Sequence, residues 1–113
     1  MITLESLKKG DHFKLVLNGK KIHTNFYSIF ATKNFLKIKK NTLLISYVAK
    51  KKIGNAVKRN KIKRRLKNIM NLAIKKISIN YNYSYLLIAK KTVLEDEYNN
   101  IKQTIFTDFQ RIK

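Results

Sequence analysis

The chain has no cysteine, no proline and no tryptophan, and only 3 glycines, 2 histidines and 6 acidic residues among 113. Without cysteine there is no disulfide, no thiol nucleophile and no thiolate zinc site. His12 and His23 stand eleven positions apart, a spacing that fits no metal motif, and read as ordinary surface or half-buried residues. Half of the acids are consecutive, Glu95, Asp96 and Glu97. They read as the negatively charged start of a helix, where the dipole favours them, before they read as a Mg²⁺ cluster. The run Lys51-Lys52-Ile53-Gly54-Asn55-Ala56 lacks the closing Gly-Lys-Ser/Thr of a phosphate loop. No Ser/His/Asp set is suggested either, so no catalytic and no metal-ligating residue is assigned. Such a chain is expected to assist a catalyst that resides elsewhere. No apolar run approaches the ~20 residues of a membrane span. The first nine residues lack the basic start and apolar stretch of a signal peptide. A cytoplasmic protein without a membrane partner is expected.

What the chain has is positive charge: 26 Lys plus Arg, for a net charge of +20. Self-repulsion on that scale destabilises a compact chain unless a polyanion relieves it. Nucleic acid is the first candidate and an anionic membrane surface the second. With 44% hydrophobic residues there is material for a core, and the length fits one domain over residues 1–113. Lys, Asn and Ile number 22, 12 and 15. All three have AT-rich codons, so where the charges sit is more informative than their total.

Residues 4–17 read as a short helix on the stripe Leu4, Leu7, Phe13 and Leu17, with Ser6 or Asp11 as a cap. Asn18-Gly19 ends it as a turn. Residues 24–31 and 83–90 read as strands, and 43–49, largely apolar on both faces, as a central one. Residues 32–41, with four Lys and two Asn, read as a solvated connection. A basic loop over 50–54 leads to Asn55 as N-cap of a helix reaching about Ile77. Asn80-Tyr81-Asn82 forms a turn. A last helix over 94–112 carries Tyr98, Ile101, Ile105, Phe109 and Ile112 on one face. Strand, helix, strand in mid-chain implies a parallel pair joined by a crossover. The class is α/β or α+β, with a small sheet and about three helices.

At 100° per residue, Leu66, Ile69, Ala73 and Ile77 fall within about 60° of Ile62 and form the buried stripe of the long helix. Asn60, Arg64, Lys67, Asn71 and Lys75 lie opposite. Residues 50–76 hold twelve Lys or Arg, among them Lys58, Lys61 and Lys63, and no acid. A solvated helix face normally mixes signs and pairs them four apart. A one-sign ridge beside a basic loop is instead the footprint of nucleic-acid binding. Three of the four arginines, Arg59, Arg64 and Arg65, are in this helix. Arginine's planar fork grips phosphate bidentately, which lysine cannot do.

The run Lys51-Lys52-Ile53-Gly54-Asn55-Ala56-Val57-Lys58-Arg59-Asn60-Lys61-Ile62-Lys63-Arg64-Arg65-Leu66 closely resembles the signature of the bacterial ribonuclease P protein subunit, K-K-x-G-x-A-V-x-R-N-x-I-K-R. The likeness extends to Leu7-Lys8-Lys9 through Phe13 to Gly19, to Phe26–Ala31, and to Tyr85-Leu86-Leu87-Ile88-Ala89-Lys90-Lys91 with a closing helix. It implies an α+β single-domain sandwich with a small mixed sheet and a left-handed central crossover, where general rules favour a right-handed one. It implies an accessory subunit of an endoribonuclease that removes the 5′ leader of precursor tRNA, with catalysis by the RNA subunit and Mg²⁺ held mainly by RNA. The implied partners are the ribonuclease P RNA and precursor tRNA.

By position, Arg59, Asn60, Lys61, Lys63, Arg64 and Arg65 would contact the RNA subunit, within an RNA-binding face that also takes in Asn55, Lys58 and Lys67. Lys50, Lys51 and Lys52 would flank the leader path. Phe13 matches an aromatic of the leader cleft, and Leu17 stands where the family has a second one. Other departures are Lys61 in place of Arg, a strand over 43–48 without the usual Arg and Gly, and no Pro at Thr92-Val93. The alternative is a ribosomal or other general small basic RNA-binding protein. No heptad or helix-turn-helix spacing supports a DNA partner. The long helix has no bulky aromatic on its apolar stripe, as a membrane-surface helix would.

Overall fold

The buried strands come from the runs richest in aliphatic and aromatic residues. The computed structural model describes residues 3–7, 10–34 and 42–112. In chain order it contains β1 (Thr3–Glu5), α1 (Gly10–Leu17), β2 (Lys20–His23), β3 (Tyr27–Lys33) and β4 (Thr42–Ala49). A 3-10 turn (Lys51–Ile53) leads to α2 (Ala56–Lys76), β5 (Tyr83–Ala89), α3 (Thr92–Glu95) and α4 (Tyr98–Arg111). The strands form one mixed sheet in the order β1-β4-β5-β3-β2. β4 is parallel to β1 and β5, whereas β3 is antiparallel to β5 and β2. The α+β class and the parallel pair around the long helix are thereby established.

The sheet separates two apolar layers. On one face Ile29, Leu43, Ile45, Tyr85 and Leu87 pack against Ile62, Leu66, Ile69, Met70 and Ala73 of α2 and Ile101, Ile105 and Phe109 of α4. On the other, Phe30, Leu44 and Leu86 pack with Leu7 and with Val16 of α1. The central strand β5 is buried on both faces, which is why Tyr85-Leu86-Leu87 reads as a continuous apolar run. One polar pair is sunk in the larger layer: the Tyr27 hydroxyl donates to Asp108 Oδ2 at 2.7 Å. Arg111, 3.9 Å from the other carboxylate oxygen, covers it from the surface.

Several expectations are corrected. The helix over 4–17 is two elements. Leu4 lies in β1, because the apolar β4 offers an unpaired edge and three residues of parallel ladder satisfy it. The helix begins only at Gly10, and the candidate cap Asp11 has its side chain outside the described residues. β2 went unseen because Lys-Lys-Ile-His carries a single aliphatic residue, as a solvated edge strand does. The final helix is broken at Asp96 and Glu97. The Asp96 carboxylate accepts from the Glu97 N–H at 2.7 Å and the Asn100 amide at 2.9 Å, which restarts the chain as α4. Those two bonds hold the Asp96 carboxyl below its ordinary range. The connection expected over 32–41 falls mainly on residues 35–41, outside the described part, while Lys33 belongs to β3. No helix among the described residues is long and apolar enough to cross a membrane.

Candidate nucleic-acid interface

The long helix starts where the sequence places it. Asn55 Oδ1 accepts the Lys58 N–H at 3.0 Å and caps the first turn, an interaction worth about 1 kcal/mol. Packing of the apolar stripe on the sheet sends Ile62, Leu66, Ile69 and Ala73 inward. Asn60, Lys61, Lys63, Arg64 and Lys67 are consequently exposed, as are Lys50, Lys51, Lys52 and Lys58 ahead of them. Val57, in the first turn, is 62% exposed on the same strip. The expected ridge is therefore one continuous surface.

Two of its members are placed differently. Arg59 is half-buried, and its Nε is shielded from solvent without a hydrogen-bond partner among the described residues. Arg65 turns from the ridge toward the α3–α4 corner, where Nη1 donates to the Val93 carbonyl and, at 3.3 Å, to the Asp96 carbonyl. It ties two elements together, a role the sequence could not show because the acceptors are backbone atoms far along the chain.

Beside the ridge runs a groove of about 550 Å³. Its origin is the shortness of β1. That strand stops opposite Leu44, so Ser46–Val48 of β4 lie along a sheet edge that no strand covers among the described residues. After β1 the chain leaves the edge, held once by the Leu7 N–H donating to Ser46 Oγ at 2.7 Å. α1 supplies Phe13 to one wall, and α2 supplies Lys63, Arg64 and Lys67 to the other. An apolar floor with an aromatic on one side and three cations on the other suits a nucleotide strand. Leu17 is not brought there. It sits at the end of α1, 42% exposed, outside the groove lining, because Val16 takes the inward position of that turn.

The basic loop faces a second cationic segment that sequence reading missed. Lys50 and Lys52 share a hollow of about 400 Å³ with Lys90, Lys91 and Ser28. The cause is topological: Ala49 and Ala89 are register partners in parallel strands, so the chain emerges from both at one place. The parallel pair was expected, and following it one residue further would have found Lys90. On the hollow's rim His23 Nδ1 lies 2.6 Å from the Ser28 hydroxyl. Metal-ligand chemistry is poorly supplied. Among the described residues no group of three or more His, Cys, Asp or Glu gathers, and the lining of the long groove is cationic.

Solved structures share this fold, and curated relatives share part of the sequence. The RNase P protein from Thermotoga maritima superposes with a TM-score of 0.79 over 96% of this chain and 98% of that one, at 22% identity. The Staphylococcus aureus RNase P protein gives 0.74 over 95% and 93%, at 21% identity. The ribonuclease P protein component of Fusobacterium nucleatum is 34% identical over 115 residues, covering 97% of this chain and 98% of its own length. That of Mesomycoplasma hyopneumoniae is 32% identical over 113 residues, covering 100% of this chain and 96% of its own length. With the Ribonuclease P family model matching residues 1–113 as well, the chain belongs to the ribonuclease P protein component family.

Proposed function

We propose that this chain is the protein subunit of a ribonuclease P, an RNA-binding accessory that assists removal of the 5′ leader from precursor tRNA. One observation carries the reading: a ridge of hydrogen-bond donors without an acid runs directly into a groove floored by apolar side chains. The exposed members Asn60, Lys61, Lys63, Arg64 and Lys67 bind the ribonuclease P RNA. Each Lys or Arg that neutralises a phosphate releases a counterion, so the face provides affinity that falls steeply with salt. The single-stranded leader lies along the groove, a base against Phe13, and continues toward Lys50, Lys52, Lys90 and Lys91.

In this reading the hydrolysis belongs to the RNA subunit. Mg²⁺ is held by RNA and substrate, since the protein's groove offers cations where a metal needs carboxylates. The protein raises substrate and metal affinity by neutralising phosphates and fixing the leader's path. The test is reconstitution. The chain is mixed with a bacterial ribonuclease P RNA and precursor tRNA at low Mg²⁺, and leader release is followed. Cleavage that needs both protein and RNA is expected. RNA binding with no stimulation of cleavage would favour a general RNA-binding role and overturn the proposal.

A further inference from the structure

α2 has a second cationic flank, on the side of α3 and α4. Lys61, Arg64, Arg65 and Asn68 are spaced by three, one and three positions, so they share one stripe of the helix. With Leu94 of α3 and Tyr98, the first residue of α4, they line a hollow of about 440 Å³. Arg64 alone borders both this hollow and the groove, and it forms the crest between them.

Arg65 sets the shape of the hollow, because its bonds to the Val93 and Asp96 carbonyls hold the α3–α4 corner against α2. Tyr98 opens the apolar stripe of α4. The later members Ile101, Ile105 and Phe109 are fully buried. Tyr98 and Leu94 are only partly covered by the core and give the hollow aromatic and aliphatic surface. Asn68 is exposed beside them, with an amide that both donates and accepts. None of the lining side chains is acidic. The nearby Asp96 carboxylate is engaged by the Glu97 N–H and the Asn100 amide.

Binding a phosphate would need only the cations. A ring and an aliphatic side chain next to an amide suit an unpaired base, which stacks on the one and offers its edge to the other. The hollow is also continuous with the proposed RNA-binding ridge through Lys61 and Arg64. We infer that the hollow between α2 and the α3–α4 corner is a base-binding site that takes one unpaired nucleotide of the ribonuclease P RNA. The base stacks on Tyr98, the Asn68 amide bonds to its edge, and Lys61 and Arg64 hold the adjoining phosphates. Arg65 is the positioning residue. The inference rests on the RNA-binding role proposed above and adds base recognition to it, on a flank of α2 outside the leader groove.

The test binds the full chain to ribonuclease P RNA and, separately, to a long fully paired RNA. Tyr98→Leu, Tyr98→Phe and Asn68→Ala are compared with wild type. Tyr98→Leu is expected to weaken binding of ribonuclease P RNA about tenfold, and Asn68→Ala about fivefold. Tyr98→Phe keeps the ring and should bind as wild type does. None of the three removes a charge, so the slope of log affinity against log salt should hold. Affinity for the paired RNA, whose bases are already stacked, should not change. At saturating protein, chemical probing should find one unpaired base protected by wild type and by Tyr98→Phe but reactive with Tyr98→Leu. Unchanged affinity for ribonuclease P RNA overturns the inference, as does an equal loss on paired RNA. Asn68 is exposed, so Asn68→Ala decides the matter alone if Tyr98→Leu fails to fold. The expected losses in a protein whose wild type does not stimulate cleavage would refute the proposed function and leave the base site standing. Normal stimulation without those losses would remove the base site alone.

Discussion

Arg64 and Arg65 are neighbours in sequence with separate tasks: Arg64 is exposed on the groove wall, whereas Arg65 is bonded to the carbonyls of Val93 and Asp96. A helix advances 100° per residue, and that step carries the second side chain off the ridge toward α3. Replacing each by alanine should separate the roles. Arg64→Ala is expected to leave stability within about 0.5 kcal/mol, as surface changes do. It should lower the salt slope of RNA binding by about one. Arg65→Ala should cost about 1–2 kcal/mol of stability for two half-buried charge-assisted bonds, with a smaller effect on the salt slope. Denaturant melts and salt-dependent binding of both variants check this. Equal salt effects would place Arg65 on RNA after all.

Phe13 is the aromatic of the groove wall, half-buried against the smaller apolar layer. A base stacked on an aromatic side chain contributes about 1–3 kcal/mol, with little dependence on its identity. Phe13→Ala is therefore expected to weaken precursor tRNA roughly tenfold and to leave mature tRNA, which has no leader, nearly unchanged. Competition binding of the two substrates to the reconstituted enzyme measures the difference. Equal losses for both would make Phe13 a packing residue alone.

Much of this architecture was legible in advance, for physical reasons that differ by element. α2 was readable because a 21-residue helix repeats its apolar spacing many times, and Asn55 marks its start. β4 and β5 were readable because strands buried on both faces are largely apolar, here broken only by Thr42, Ser46 and Ser84. β1 and β2 were not, since edge strands of three and four residues gain their stability from the ladder rather than from their own side chains. The ridge could be drawn on a helical wheel. The groove could not, because it is the space left where β1 stops, and Lys90 belongs to no local pattern.

The glycines separate in a way the sequence does not suggest. Gly54 lies within the family-like run, yet the atoms nearest to a Cβ there belong to the flexible Lys58 side chain, its Cδ first at 2.9 Å. Its φ of 161° is extended backbone open to any residue. Gly19 is tight: a Cβ would lie 2.1 Å from the Ala31 carbonyl oxygen, where β2 begins to pair with β3. Gly19→Ala should therefore destabilise by about 1–3 kcal/mol, since rigid backbone must move. Gly54→Ala should cost less than about 1 kcal/mol. Thermal unfolding of the two variants orders them, and a larger loss at Gly54 would contradict the geometry.

The Tyr27–Asp108 pair makes stability depend on pH at the alkaline end. Burial raises the Tyr27 pKa above the usual tyrosine value, and the hydrogen bond to Asp108 and that carboxylate's charge raise it further. The native state therefore keeps a proton that the unfolded chain releases above about pH 10. With the folded value raised, the contribution is complete below the unfolded pKa and is lost as pH climbs through it toward the folded value. One group accounts for about 1.4 kcal/mol per pH unit in that range. Tyr27→Phe removes the titration but leaves Asp108 buried beside a ring that cannot donate. The variant should be less stable than wild type by about 1–3 kcal/mol at neutral pH. The gap should narrow above pH 10, because only wild type pays for retaining the phenolic proton. Denaturant unfolding at intervals from pH 7 to 11 follows both parts. A gap of constant size would mean that the hydroxyl ionises as readily in the folded chain as in the unfolded one.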